Sequence, residues 1–470
     1  MVTAKLQTTS RFLLLGVTLS LSVFSCTNTS NSDKSLLTES STQNGILTLW
    51  WDKGFTLEED EAIQQVVKQW EQETGHKAQL SLFSADELSK KTQRAIRAGN
   101  PPDIVMSNNA DRILNPSLAR EGKLADVSEV IQSVKPFYSD TVLASAYFYN
   151  KLTNKQSYYA VPLHQSIPYI FYWRDLIEEA GKSEKDIPKD WNGFWEFWKQ
   201  IQNTLQTKKN KKIYGLGLPL SVGAGDTFEV FEQILEAHDV EIVDSQGRLR
   251  TSDPKVRQGI IHCIDWYTKF YNQGYVPPDA VNWFNPDNNR SLFNRHVVMT
   301  ANNSLSIPAA VRRNSDVYFN KLGTIGYPNK PNGKPMRYVS LITQAIILTD
   351  SKNQKLAKDF LIYFISPKIM GNYLKVAGGR FFPVHTLVWK DPFWTNKKDP
   401  HVSEGAKPLI MKRTRLLYIA QNSSYSKVLM KNVWGQALRR VVIDRVSPEK
   451  AADRAIQQLN EIFAESSDPI

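Results

Sequence analysis

Cysteine is nearly missing from this chain: Cys26 and Cys263 are the only two in 470 residues. If Cys26 is consumed at a processed N-terminus, Cys263 is left without a partner, so neither a disulfide nor a cysteine-ligated metal site is expected. Phosphate-loop chemistry is missing too, because the glycine-containing SVGAGD at residues 221–226 lacks the Lys-Ser/Thr of a Walker sequence and the spacing of a dinucleotide fingerprint. Basic residues outnumber acidic ones by 58 to 47. They are not interleaved with aromatics as in single-strand binders, so nucleic acid is not an expected partner. The one long apolar run, residues 12–24, is too short to span a bilayer comfortably.

That run follows Lys5 and Arg11 and ends in Val23-Phe24-Ser25-Cys26, which reads as a signal peptide (1–25) closed by a sequence resembling a lipobox. Cys26 is then the expected lipid anchor. Residues 26–44 form a tether rich in Ser, Thr and Asn. Losing residues 1–25 removes two basic residues and no acid, so the net charge drops from +11 to +9. A basic exported surface suits contact with anionic lipid headgroups. The remainder is a globular chain with 41% hydrophobic residues and 12 Trp, more aromatic than packing alone usually requires.

Residues 95–109, AIRAGNPPDIVMSNN, set the pattern for the rest. Ala95, Ile96 and Ala98 end an amphipathic helix, Gly99-Asn100 stops it, and Pro101-Pro102 forbids its continuation. Residues 103–106 then read as a buried parallel strand. Beyond it stand Ser107, Asn108, Asn109, Asp111 and Arg112, where open α/β sheets place ligands. Strands at 46–51, 78–83 and 103–106 alternate with helices at 58–74 and 86–98, a βαβαβ order that predicts a parallel sheet. A second strand with a polar exit occurs at residues 297–300, followed by Asn302, Asn303 and Ser304. Strands are also expected at 169–173, 214–218, 324–327 and 339–348, and helices at 428–444 and 447–463. The aromatic helix from Trp191 to Trp198 reads as a core face. Two strand-to-Asn exits joined by extended crossings point to two α/β lobes facing each other across a cleft that closes by hinge motion.

The pieces LTLWWDKGF, AIRAGNPPDIVM, AREGKLADV, YAVPL, YIFYWRDLIEEAG, SLFNRHVVMT, GGRFFPV and VWGQALRRVV, in this order, resemble bacterial extracellular solute-binding proteins of the maltose and multiple-sugar type. These are the capture subunits of ABC importers. The resemblance runs from about residue 45 to 463. It implies a type II periplasmic-binding-protein fold, with an N-terminal lobe of residues 45–160 and 327–378 and a C-terminal lobe of 161–326 and 379–467. It also implies a monomer without cofactor or metal that delivers a sugar to a membrane permease without catalysis. Asp52 and Lys53, beside Trp51, match an Asp-Lys pair that bonds sugar hydroxyls. Asp111-Arg112 matches an Asp-Arg pair with one extra residue here, near Asn108 and Asn109. His164 and Gln165 stand where relatives often carry a Glu ligand. Asn302-Asn303 replace a cleft aromatic, for which Trp283 is the expected substitute. Arg380-Phe381 follow a double glycine in a hinge-facing loop. The WWDKGF and GGRFFPV pieces look most like cyanobacterial binders of osmolyte-type glycosides, which implies glucosylglycerol, sucrose or trehalose beside maltose-type oligosaccharides.

Such an inventory suits a polyol: Asp and Asn pair with vicinal hydroxyls, Arg and Lys add charge-assisted donors, and Trp offers a flat face to a pyranose. Two other classes are open to the same residues. A glycerol-phosphate ester binder would use Lys53, Arg112 and Arg380. A secreted glycoside hydrolase would need two carboxylates with separated pKa values, and Asp52 and Asp111, beside Lys53 and Arg112, are both expected to stay ionised.

Overall fold

The computed structural model describes residues 45–465 except residue 109. Cys26, the expected signal peptide and tether, and Asn109 lie outside these residues. β1 (Ile46–Asp52) buries Leu47, Leu49 and Trp51 by simple alternation, and Trp51 meets Phe364 edge-on at 5.3 Å. The helix Leu57–Thr74 follows, its Glu59 reaching back to accept the backbone N–H groups of Phe55 and Thr56. It stops at Gly75, whose φ of 75° is free of penalty only in glycine. β2 (Lys77–Phe83) and β3 (Ile104–Met106) both pair with β1 in parallel, as the βαβαβ order predicts. Asp103 fixes the start of β3: its carboxylate accepts from Thr48 at 2.8 and 2.9 Å, Ser351 at 2.5 Å and Asn353 at 3.2 Å. This holds the opposite end of the strand, so that its carboxyl end is presented at a defined height.

After a two-stranded hairpin, β4 (Tyr147–Asn150) with β5 (Lys155–Tyr158), come β6 (Val161–Ser166), β7 (Tyr169–Trp173), β8 (Tyr214–Gly217), β9 (Val297–Asn302), β10 (Leu322–Ile325), β11 (Tyr338–Ile347), β12 (Phe382–Pro383) and β13 (Thr414–Leu416). The larger sheet runs β12-β6-β11-β3-β1-β2, with β13 on β11, and the smaller runs β10-β7-β9-β8. Each sheet holds one of the two polar strand exits, β3 and β9. The chain leaves the larger sheet between β6 and β7, through Ile167-Pro168, and returns between β10 and β11. Val161–Ser166 and Phe382–Pro383 thus belong to the larger sheet, beyond the points at 160/161 and 378/379 where the sequence suggests a change of lobe.

The helix Trp191–Lys209 buries Trp191, Phe194, Trp195, Phe197 and Trp198 and is capped by Asp190, so its aromatics are core as expected. The helix expected over 428–444 is broken into Tyr425–Met430 and Val433–Val442. The break is Asn432, at φ 44°, whose side chain accepts the Gly435 N–H and donates to the carbonyls of Val222 and Ala224. An interrupted helix therefore pins the SVGAGD loop, and this loop delivers the helix Gly225–Ala237 to the cleft.

Candidate functional site

A cavity of about 320 Å³ lies between the two sheets. From the larger sheet's side it is lined by Asp52, Lys53, Phe55, Asn108 and Arg112, and from the smaller sheet's side by Asp226, Glu229, Asn289, Asn302 and Asn303. Arg380 and Phe381 close it at the crossing between them.

The first wall is the strand tip of β1 beside that of β3. Asp52 Oδ2 accepts the Asn108 backbone N–H at 2.5 Å and its side-chain amide at 3.1 Å, and Thr343 of β11 donates to the Asn108 Oδ1 at 2.8 Å. Burial pushes the Asp52 carboxyl up to about 7, against the opposing pull of the Asn108 and Ser107 hydrogen bonds and of Arg380. Asp111 is also raised by burial, aided by the charges of Asp52 and Glu229 and opposed by Arg112. The neighbouring cations, expected to hold both carboxyls ionised, only oppose a rise that removal from water sets. Lys53 stands exposed at the rim.

The second wall comes from the exit of β9 and from the helix Gly225–Ala237. Asn303 donates to Glu229 at 2.5 Å, and Asn302 and Asn289 both donate to Ser306, at 2.7 and 3.0 Å. Arg112 crosses the cleft to Glu229 at 3.0 Å and turns its Nε to Asp111 at 3.5 Å. Arg380 grips both Glu59 oxygens, at 2.8 and 3.0 Å, and its guanidinium lies over the rings of Phe381 and Phe55 at 4.5 and 5.9 Å.

Eight of the expected residues therefore meet at one cavity: Asp52, Lys53, Asn108, Arg112, Asn302, Asn303, Arg380 and Phe381. Five others do not line it. Trp51 alternates into the core, and Asp111 sits behind Arg112. His164 is buried, stacked on Phe381 at 4.1 Å, and its pKa is lowered to about 3 by burial and by Arg380, so it supports an aromatic wall instead of replacing a Glu ligand. Gln165 donates to the Pro383 carbonyl at 2.9 Å and ties β6 to β12. Trp283 is buried, with its indole N–H donated to Asp279 at 3.1 Å, and the aromatic faces on the cavity belong to Phe55 and Phe381 instead.

Sequence reasoning missed Asp226, Glu229 and Asn289, together with the helix that carries the first two. The available signal was spacing: Asp226, Glu229, Gln233 and Glu236 fall on one face at intervals of three and four. Burial pushes Asp226 up, with the Glu229 charge adding to it; burial also raises Glu229, while Arg112 and Asn303 oppose.

The family described as bacterial extracellular solute-binding protein matches residues 55–371. Among characterised proteins, the diacetylchitobiose binding protein DasA of Streptomyces coelicolor is 23% identical over 365 residues, covering 77% of each chain. Among solved structures, an ABC transporter solute-binding protein from Thermotoga lettingae bound with α-D-tagatose superposes with a TM-score of 0.71 at 20% identity, covering 89% of this chain and 99% of that one. A sugar transporter protein from Arthrobacter chlorophenolicus with bound laminaribiose gives a TM-score of 0.72 at 14% identity, covering 90% and 100%. At such identities the structural likeness speaks for the fold, and that fold is the type II periplasmic-binding-protein architecture of two α/β lobes about a cleft. With the family match spanning well over half of its length, this chain belongs to the bacterial extracellular solute-binding protein family.

Proposed function

We propose that this chain captures a sugar or small glycoside in the cleft and hands it to the membrane permease of an ABC importer, making and breaking no bond. The observation that carries this reading is the composition of the cavity. Polar side chains enter it from the strand exits of both sheets, and Phe55 and Phe381 add apolar faces. Its volume of about 320 Å³ falls at the small end of the usual range for ligand sites, roughly 300–1,000 Å³, and suits one or two sugar rings. A ligand touching both walls favours the closed arrangement by its differential affinity for it, and the permease then reads the closed form. Glucosylglycerol, sucrose, trehalose and short maltose-type oligosaccharides are the first candidates. Export with a lipid anchor at Cys26, and function as a monomer, complete the proposal.

Isothermal titration against these sugars tests it, combined with recovery of the bound sugar for chromatography. Saturable binding with the sugar returned intact is the expected result. Hydrolysed sugar, or no binding across the series, overturns it.

A further inference from the structure

The charge at the cleft is distributed unevenly, and the distribution names a class of ligand; this inference rests on the cleft being the sugar site. Both guanidiniums at the cavity are committed to protein carboxylates, Arg112 to Glu229 and Asp111, and Arg380 to Glu59. Two lining carboxylates, Asp52 on the first wall and Asp226 on the second, form no ion pair with any Lys or Arg among the described residues. Acceptors are in surplus as well. Asp52 Oδ1, Asn289 Oδ1 and Asn303 Oδ1 are buried without a hydrogen-bond partner.

An anionic ligand seated deeper than Lys53 at the rim would have to pull a guanidinium from its carboxylate and then sit beside Asp52 and Asp226. A neutral hydroxyl brings a single donor and keeps its own lone pairs. An ammonium brings three donors, no acceptor and the missing positive charge, and charge-assisted hydrogen bonds are roughly twice as strong as neutral ones. The groups facing this position are Lys53, which is exposed at the rim and screened by water, Asn108, Ser107 and Arg380 around Asp52, and Asn288, Glu229, Arg112 and Arg380 around Asp226. We propose that the cleft takes a glycoside carrying a protonated amine, seated between Asp52 of one wall and Asp226 of the other. The amine, more than the sugar stereochemistry, then distinguishes this chain from a binder of neutral sugars.

Titration calorimetry with matched pairs tests the proposal on the whole protein. The pairs are trehalosamine with trehalose, the β-1,4-linked glucosamine disaccharide with cellobiose, and glucosamine with glucose. At pH 7.5, where Asp52 is ionised, the amino member of the best-bound pair is expected to bind at least tenfold tighter than its hydroxyl counterpart. That ratio should peak where Asp52 and Asp226 have ionised and the ligand amine is still protonated, shrinking at lower pH as Asp52, at about 7, takes up its proton and at higher pH as the amine loses its own, and it should fall toward one in Asp226→Asn. The wild-type ratio needs no variant, so a poorly folded substitution does not obscure the result. Equal or tighter binding of the neutral member, or competition by glycerol phosphate, overturns the amine proposal and leaves sugar capture standing. Failure of every member to bind overturns both.

Discussion

The helix Gly225–Ala237 carries buried acids at both ends, and the two ends treat them in opposite ways. At the rear, Glu236 accepts from Lys330 at 2.7 Å, from Arg337 at 2.9 and 3.0 Å and from Arg415 at 2.7 Å. One turn earlier, Glu232 accepts from Arg415 at 3.2 Å and from the Trp434 indole at 2.9 Å, and Tyr425 donates its hydroxyl to the same carboxylate. Burial alone would raise Glu236, but Arg337, Arg415 and Lys330 more than offset it and hold its carboxyl down at about 2. At the front, Asp226 and Glu229 have one cross-cleft guanidinium between them and are pushed up. Burial is common to both ends, so the number of cations supplied decides the sign. The rear belongs to the crossing between the sheets, since Lys330 and Arg337 lie between β10 and β11 and Arg415 on β13. It is a completed structure, whereas the front has fewer cations than acids, as the proposed ligand site would.

Glu236→Ala gives the largest expected effect. It removes the carboxylate shared by Lys330, Arg337 and Arg415, leaving Lys330 with Asp239 and Arg415 with Glu232, and breaking a buried charge cluster in this way costs about 3–5 kcal/mol. Denaturant unfolding reads this directly, and a loss below about 1 kcal/mol would erase the distinction between the two ends. Glu229→Ala is expected to cost less, roughly 1–3 kcal/mol, because Arg112 keeps Asp111 and the Asn108 carbonyl and only Asn303 and the cross-cleft contact lose their partner. Its distinguishing effect is on shape: with Arg112 no longer bridging the walls, small-angle scattering of the sugar-free protein should give a larger radius of gyration. An unchanged radius would show that Arg112 and Glu229 do not hold the walls together.

The sequence spoke clearly about the larger sheet and less clearly about the helix at the heart of this contrast. β1, β3 and β9 were legible because an apolar run followed by Asn or Asp is a local pattern; six cavity residues lie at these exits, and Arg380 and Phe381 came only from the family resemblance. The helix Gly225–Ala237 was hidden by its own character. It is buried through almost its whole length, and its acidic stripe looks like a solvated face until Lys330, Arg337 and Arg415 are brought to it from the crossing and β13. Trp283 illustrates the converse: an aromatic in a polar loop invites a stacking role, but whether its ring faces a cavity or the core depends on Asp279 and the packing around it. The break at Asn432 was equally invisible, because it answers carbonyls in the distant SVGAGD loop.

The smallest effect, and the most specific, concerns Asp52. Its carboxyl titrates at about 7 in the folded protein and near 3.8 once unfolded, so between about pH 4 and 7 the folded state holds a proton that the unfolded state has released. Stability contributed by this group therefore falls as pH rises through that window, and above pH 7 the wild type carries a buried charge. Asp52→Asn is neutral throughout. Without ligand it should match the wild type at pH 4 and exceed it by roughly 1–2 kcal/mol at pH 8, the gain expected on replacing a partly compensated buried carboxylate by its amide. Glu236 has the opposite sign: its folded pKa is depressed, so its contribution is present above about pH 4.5 and is lost only as pH falls toward 2. Thermal melts of wild type and Asp52→Asn from pH 4 to 8 should diverge with rising pH. Parallel curves would mean that Asp52 is already matched by a cation, and that the front of the cleft is as complete as the rear.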